Sequence, residues 1–146
     1  MALLHATAAM AAQRGDTDVW ALHVHHGLSD QADQWQQHVE RVCDQWAQAG
    51  WPIQCNTRRL ALKPQAGQSL EALARRERYQ ALTEMAHQAH CSAVLLGHHR
   101  QDQAETFVLQ ALRGSGPAGL ASMPAEAERH GLRWCRPWLA HPRSAI

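Results

Sequence analysis

The chain is poor in the features that staple or anchor a small protein. Its four cysteines, Cys43, Cys55, Cys91 and Cys135, stand far apart with no CxxC pair. That spacing excludes both a disulfide-dense scaffold and a zinc ribbon with closely paired ligands. Reduced thiols in a cytoplasmic protein are the expectation. No apolar run is long enough to span a bilayer, and no basic segment followed by an apolar core opens the chain as an export signal would. Charge of one sign is also lacking: 14 Lys and Arg face 13 Asp and Glu, a formal net charge of +1. Such a field is too weak to argue for nucleic acid by charge alone, so any such contact must rest on local residues. Tyr and Phe occur once each, beside 6 Trp and 11 His. With 146 residues, one domain around one core is expected over residues 1–146.

What is present is an alternation of helical and extended patterns. Leu3, Leu4, Ala8 and Ala11 fall at helical spacing before a Gly15-Asp16 turn. Residues 18–24, DVWALHV, read as a short strand covered on both faces, ending in His25-His26-Gly27. Ser29 or Asp30 can cap the next helix, which aligns Trp35, Val39, Val42, Cys43 and Trp46 and stops at Gly50 and Pro52. A weaker strand at 51–57 and a connector containing Pro64 and Gly67 lead to a long helix over 69–89. A third strand is expected at 93–97, then a helix whose apolar stripe is Ala104, Phe107, Val108, Ala111 and Leu112. A glycine-rich loop, a polar stretch and a last strand within 132–138 complete the pattern. Strands joined by helices imply parallel pairing through right-handed crossovers, hence an α/β fold with an open, mostly parallel sheet and flanking helices. Ligands in such sheets collect at the carboxyl ends of strands, where His25-His26 and His98-His99 stand.

Three groups of residues could carry chemistry. In GHHRQDQAET, Gly97–Thr106, Asp102 can act as an N-cap with Glu105 completing a capping box; the same carboxylate can orient a substrate or hold Mg²⁺. Glu71, Arg75 and Arg78 share one helical face, either as a solvated ion-pair face or as guanidiniums placed to neutralise phosphate. Gly114-Ser115-Gly116-Pro117-Ala118-Gly119 spells GxGxxG but follows a helix, so it reads as a turn or substrate-facing loop, not a dinucleotide fingerprint. The histidine pairs keep a zinc hydrolase open as an alternative, although no HxHxDH or HExxH arrangement occurs. Trp35 and Trp46 are expected in the core.

The blocks HVHHGLS (23–29), EALARRERY (71–79), GHHRQDQAET, RGSGPAGL (113–120) and RPWL (136–139), in this order, resemble the N-terminal catalytic domain of the tRNA(Ile)-lysidine synthases. These are PP-loop enzymes, or N-type ATP pyrophosphatases, with a Rossmann-like fold. The resemblance implies ATP and Mg²⁺ as cofactors, and tRNA(Ile) and L-lysine as partners. ATP would adenylate the C2 carbonyl oxygen of the wobble cytidine, and the lysine ε-amine would then displace AMP. Carried over by position, Asp102, His98 and Arg75 are the catalytic residues, and His25, Arg78, Gly114 and Gly116 bind ATP or substrate. No protein metal ligand is assigned, and a homodimer is allowed. Gln101 stands where the family often has aspartate beside Asp102. The family's SGGxDS loop would fall just before Met1, so the resemblance implies a partial domain without its first strand, phosphate loop and C-terminal remainder, inactive alone. The reading from a different class is a non-catalytic α/β binding module.

Overall fold

The computed structural model describes residues 1–63 and 67–146; Pro64, part of the connector read from the sequence, lies outside them. The chain divides into two compact units, Met1–His90 and Cys91–Ile146.

In the first unit the order is α1 (Ala2–Arg14), β1 (Val19–His25), α2 (Ala32–Gln48), β2 (Ile53–Arg59) and α3 (Leu70–Gln88). β1 and β2 pair in parallel from Val19↔Ile53 to His25↔Arg59, the arrangement a crossover helix such as α2 makes possible. Gly15 ends α1 in the left-handed region, φ 70°, and its N–H reaches the Ala11 carbonyl at 2.9 Å. The core here joins Ala8 and Ala11 of α1, Val19 and Ala21 of β1, Cys43 of α2 and Ile53 of β2. Its outer edge is a ring cluster in which His5, Trp46 and Trp51 lie 5.2–5.4 Å apart, centroid to centroid. Trp46 thus packs as expected, whereas Trp35 is 49% exposed. Trp35 stands in the first turn of α2, ahead of the Val39–Trp46 stretch that packs on the core.

α3 begins where the sequence places it. The Ser69 hydroxyl accepts from the Ala72 N–H at 3.4 Å, a cap contributing about 1 kcal/mol. Its buried stripe is Leu73, Ala74, Ala81, Leu82, Met85 and Ala86.

Burial pushes the Cys43 thiol up to about 12, with the neighbouring Cys55 adding to the effect. The folded pKa lies above the ordinary 9.0, so stability tied to this thiol is complete below about pH 9 and is lost as pH rises toward 12. Iodoacetamide at pH 8 is expected to spare Cys43 in the folded chain and to modify it in urea, read by mass spectrometry. Labelling of the native chain at the denatured rate would contradict this burial.

The second unit contains β3 (Ala93–Leu95), α4 (Arg100–Leu112), α5 (Pro117–Leu120), β4 (Glu126–Arg129), β5 (Leu132–Cys135) and a 3-10 turn, Arg143–Ala145. The sheet order is β3-β5-β4, with β3 parallel and β4 antiparallel to β5. The antiparallel hairpin stands where the sequence suggested only a polar stretch. His130 and Gly131, φ 54° and 72°, form its two-residue turn, the backbone that a primed hairpin loop requires. The last strand ends earlier than expected, at Cys135; Arg136 still follows its register, with its N–H going to Ala125 O at 2.8 Å and its guanidinium Nη1 donating to Pro124 O at 2.9 Å. Pro137 cannot donate to a ladder in any case.

The apolar stripe of α4 does not form a core. Phe107, Val108 and Leu109 are half-exposed, Leu112 is 81% exposed, and no residue of the helix is buried. α4 packs on α5, a single turn too small to cover such a stripe. The GxGxxG segment opens that turn: Gly116 is its N-cap. Gly119 approaches Ser115 so closely that a Cβ there would lie 2.6 Å from the Ser115 Cβ.

Candidate functional site

Successive side chains of β1 alternate between faces. Val19 and Ala21 face α1 and α2, and His25, in the same register, also turns toward α2. His26, just past the strand, turns to the side that α3 covers. There a cleft of about 500 Å³ is lined by His26, Leu28, Leu70, Glu71, Arg75 and Arg78. Leu28 and Leu70 supply apolar wall. The guanidinium carbons of Arg75 and Arg78 each lie 5.6 Å from the centroid of the Tyr79 ring, close enough for cation–π attraction. Among the described residues no ion pair joins Glu71 to Arg75 or Arg78, despite the helical spacing that favours one. Arg78 Nε and His26 Nδ1 are buried with no hydrogen-bond partner among those residues. Leaving a buried donor unmade costs about 1–3 kcal/mol, so the cleft is suited to a ligand bearing acceptors.

His25 is 8% exposed. Its Nε2 lies 3.2 Å from Asp33 Oδ1, and Arg59 Nη2 donates to the same oxygen at 2.5 Å. The hydrogen bond from Arg59, and then its charge, hold the Asp33 carboxyl below the usual range. Leu60 N–H also bonds the His25 carbonyl at 2.8 Å, so β1, β2 and the first turn of α2 are fastened together at the strand ends.

In the second unit, His98 and His99 follow β3 and α4 starts at Arg100. The cap is set three residues earlier than the sequence suggests. His99, not Asp102, is the N-cap, and Asp102 is the N3 residue that accepts the His99 N–H at 2.7 Å. Asp102 Oδ2 also lies 3.2 Å from His99 Nδ1. Glu105 is therefore outside the capping box. The shift follows from backbone geometry: His99 has φ −124° and ψ −177°, the extended state of an N-cap, and its own N–H is the donor that must be met. Gln101 accepts from the Arg143 N–H at 3.0 Å, which ties the end of the chain to α4.

Gly114 and Gly116 lie at the opposite end of that helix. Gly114, φ 69°, closes it, and Gly116 caps α5. At 1.5 Å per residue, the twelve positions between Asp102 and Gly114 span about 18 Å, so these glycines and Asp102 do not meet one small group. His25, Arg75 and Arg78 belong to the first unit, and His98, Asp102, Gly114 and Gly116 to the second. The sequence reading singled out His26 as one of a strand-end histidine pair, but missed Leu28 and Leu70 as cleft walls and Asp33 and Arg59 as the groups nearest His25 at the strand ends. Asp33 had no comparable signal.

No three His, Cys, Asp or Glu side chains come together as metal ligands among the described residues. Mg²⁺ at nucleotide sites is held by one or two carboxylates together with phosphate oxygens and water, and no step below passes through it. No helix among those residues is long and apolar enough to cross a membrane.

Residues 1–146 match the family model described as the PP-loop domain. Curated relatives called tRNA(Ile)-lysidine synthase include one from Bordetella bronchiseptica, 43% identical over 145 residues, covering 99% of this chain and 40% of the relative. Another, from Vibrio cholerae, is 47% identical over 119 residues, covering 80% of this chain and 26% of the relative. A third, from Enterobacter sp., is 38% identical over 144 residues, covering 99% and 32%. The chain thus spans less than half the length of these relatives.

Proposed function

Because this chain belongs to the PP-loop family, we propose that it carries the nucleotide-activating part of a tRNA(Ile)-lysidine synthase. That ligase would use ATP to join L-lysine to C2 of the wobble cytidine of the tRNA(Ile) with anticodon CAU. The chemistry needs two balanced steps. The cytidine O2 attacks the α-phosphorus of ATP and pyrophosphate leaves; the lysine ε-amine then attacks C2, loses a proton, and AMP departs with the former carbonyl oxygen. An oxygen on an aromatic base is a poor leaving group, and adenylation makes it a good one.

The observation that carries the reading is the pair of guanidiniums, Arg75 and Arg78, gathered over Tyr79 beside an apolar-walled cleft. Permanently charged planar forks suit phosphate oxygens, and the apolar walls suit a nucleobase or ribose edge. The buried, unpaired Arg78 Nε supports an acceptor-rich ligand. Asp102 is assigned the proton leaving the amine, and His98 a contact beside it at the end of β3.

The test is a chimera in which these 146 residues replace the matching segment of the Bordetella bronchiseptica relative, assayed for lysidine in an unmodified tRNA(Ile) transcript. Lysine- and ATP-dependent lysidine with AMP release is expected. A folded chimera that forms none would refute the reading. In the same chimera Arg78→Ala should lose about 1.5–3 kcal/mol of charge-assisted bonding, a roughly 10- to 100-fold rise in KM for ATP. An unchanged KM would remove Arg78 from the phosphate contacts.

A further inference from the structure

We infer that Tyr79 is a positioning residue of the Arg75–Arg78 cleft: its ring holds both guanidiniums in place without neutralising them, which leaves two preset positive forks for the phosphate oxygens of a nucleotide. The inference rests on reading that cleft as the ATP site. Neither the family match nor the roles carried over by resemblance assign Tyr79 any part.

Three observations carry it. The first is contact. The guanidinium carbons of Arg75 and Arg78 each lie 5.6 Å from the Tyr79 ring centroid, within the roughly 6 Å over which a cation is drawn to an aromatic face. The second is a contrast with other arginines of the same unit. Arg14, Arg58, Arg59 and Arg76 are paired with Asp16, Glu84, Asp33 and Glu77. Among the described residues no ion pair joins Arg75 or Arg78 to a carboxylate. The contrast holds within a single turn of α3, since Arg76 stands between them in the chain. The third is place. Arg75 and Arg78 line the cleft, whereas Tyr79 is half-buried and is not one of its walls, so its effect on a ligand passes through the two arginines.

The choice of a ring over a carboxylate has a chemical consequence. A carboxylate partner cancels the charge of a guanidinium and occupies its N–H donors, and an incoming phosphate would have to displace it. An aromatic face is uncharged, and a guanidinium lying against it keeps the donors around its own edge free. An unrestrained arginine loses rotamer freedom when it clasps a ligand, which lowers affinity about 2- to 10-fold for each such side chain. Contact with Tyr79 removes that freedom before the ligand arrives.

Two readouts test this with Tyr79→Phe, Tyr79→Leu and, as a control on the same helix, Arg76→Gln. In the chain itself, NMR shifts of the arginine side-chain protons report the ring. Upfield displacement of the Arg75 and Arg78 signals is expected in the unsubstituted chain and in Tyr79→Phe, and its loss in Tyr79→Leu. In the chimera, Tyr79→Leu should raise KM for ATP roughly 5- to 30-fold, as two newly mobile arginines imply, with kcat within about twofold. Tyr79→Phe should recover most of the affinity, and Arg76→Gln should match the parent in both readouts. Phenylalanines carrying one, two or three ring fluorines at position 79 should raise KM stepwise, because fluorine withdraws electron density from the ring face and leaves the shape nearly unchanged.

Upfield shifts that persist in Tyr79→Leu would overturn the inference, as would a parental KM in that variant. Tyr79→Leu also removes buried ring area. If its thermal midpoint falls, the fluorinated series decides: a graded KM supports the inference, and a flat one marks a ring that only fills space and overturns it. If the parent chimera makes no lysidine, the ATP-site reading fails by itself, and the proton shifts still decide whether Tyr79 holds the two guanidiniums.

Discussion

Asp102→Asn in the active chimera is expected to lower the rate of lysidine formation by roughly 10²- to 10⁴-fold, the range for removing a positioned proton acceptor. KM for ATP should change little, because the phosphate-binding charges assigned here are Arg75 and Arg78. The substitution separates chemistry from folding because of what Asp102 does in the backbone. Its carboxylate accepts the His99 N–H at 2.7 Å as the N3 residue of α4. Asparagine keeps a carbonyl oxygen for that bond, so α4 should start at the same residue and the thermal midpoint should stay close to that of the parent. Asp102→Ala is the contrasting variant: it loses the acceptor too, at a cost of about 1 kcal/mol in helix stability. Lysidine per tRNA, read by nucleoside mass spectrometry alongside thermal melts, distinguishes the outcomes. An Asn variant within a fewfold of parental rate would reduce Asp102 to a capping residue.

That dual position explains why the sequence around Asp102 was only partly legible. The block GHHRQDQAET announces a helix start after a strand, and the structure has one there. Which residue is the cap depends on backbone dihedrals that letters do not carry. Aspartate is a favoured cap and histidine is not, so propensity pointed to Asp102, while the extended backbone at His99 put the cap three residues earlier. The hairpin was missed for a related reason. EAER looks like a polar linker because its side chains gain little burial, and β4 is held by backbone pairing to β5 through the His130-Gly131 turn.

Periodicity was most reliable where the apolar face has a partner. In α2 the aligned Val39, Cys43 and Trp46 pack at the core. In α4 an equally regular repeat of Phe107, Val108 and Leu112 remains exposed. A hydrophobic stripe states which face prefers to leave water, and says nothing of whether a surface of sufficient size stands opposite. The cleft residues show the same asymmetry. Arg75 and Arg78 could be singled out because charged residues on one helical face are visible in a sequence. Asp33 lies eight positions from His25, and only the fold brings the two within 3.2 Å of one another.

The largest stability effect is expected at Met85. It is fully buried in α3 at 0% exposure, with Ala81, Leu82 and Ala86 of the same helix also buried. Truncating this long side chain to a methyl leaves a void that the surroundings fill only in part. Met85→Ala is therefore expected to cost about 2–5 kcal/mol, a large part of the roughly 5–15 kcal/mol that holds a typical domain folded. Met85→Leu keeps nearly the same volume and should cost less than about 1.5 kcal/mol. Urea unfolding of the chain, followed by the fluorescence of its 6 tryptophans, measures both. A lower midpoint at constant slope for Met85→Ala is the expected signature. A loss below about 1 kcal/mol would mean that α3 settles inward to close the gap, in which case the cleft carried on its preceding turns should move with it and the affinity for ATP should fall in the same variant.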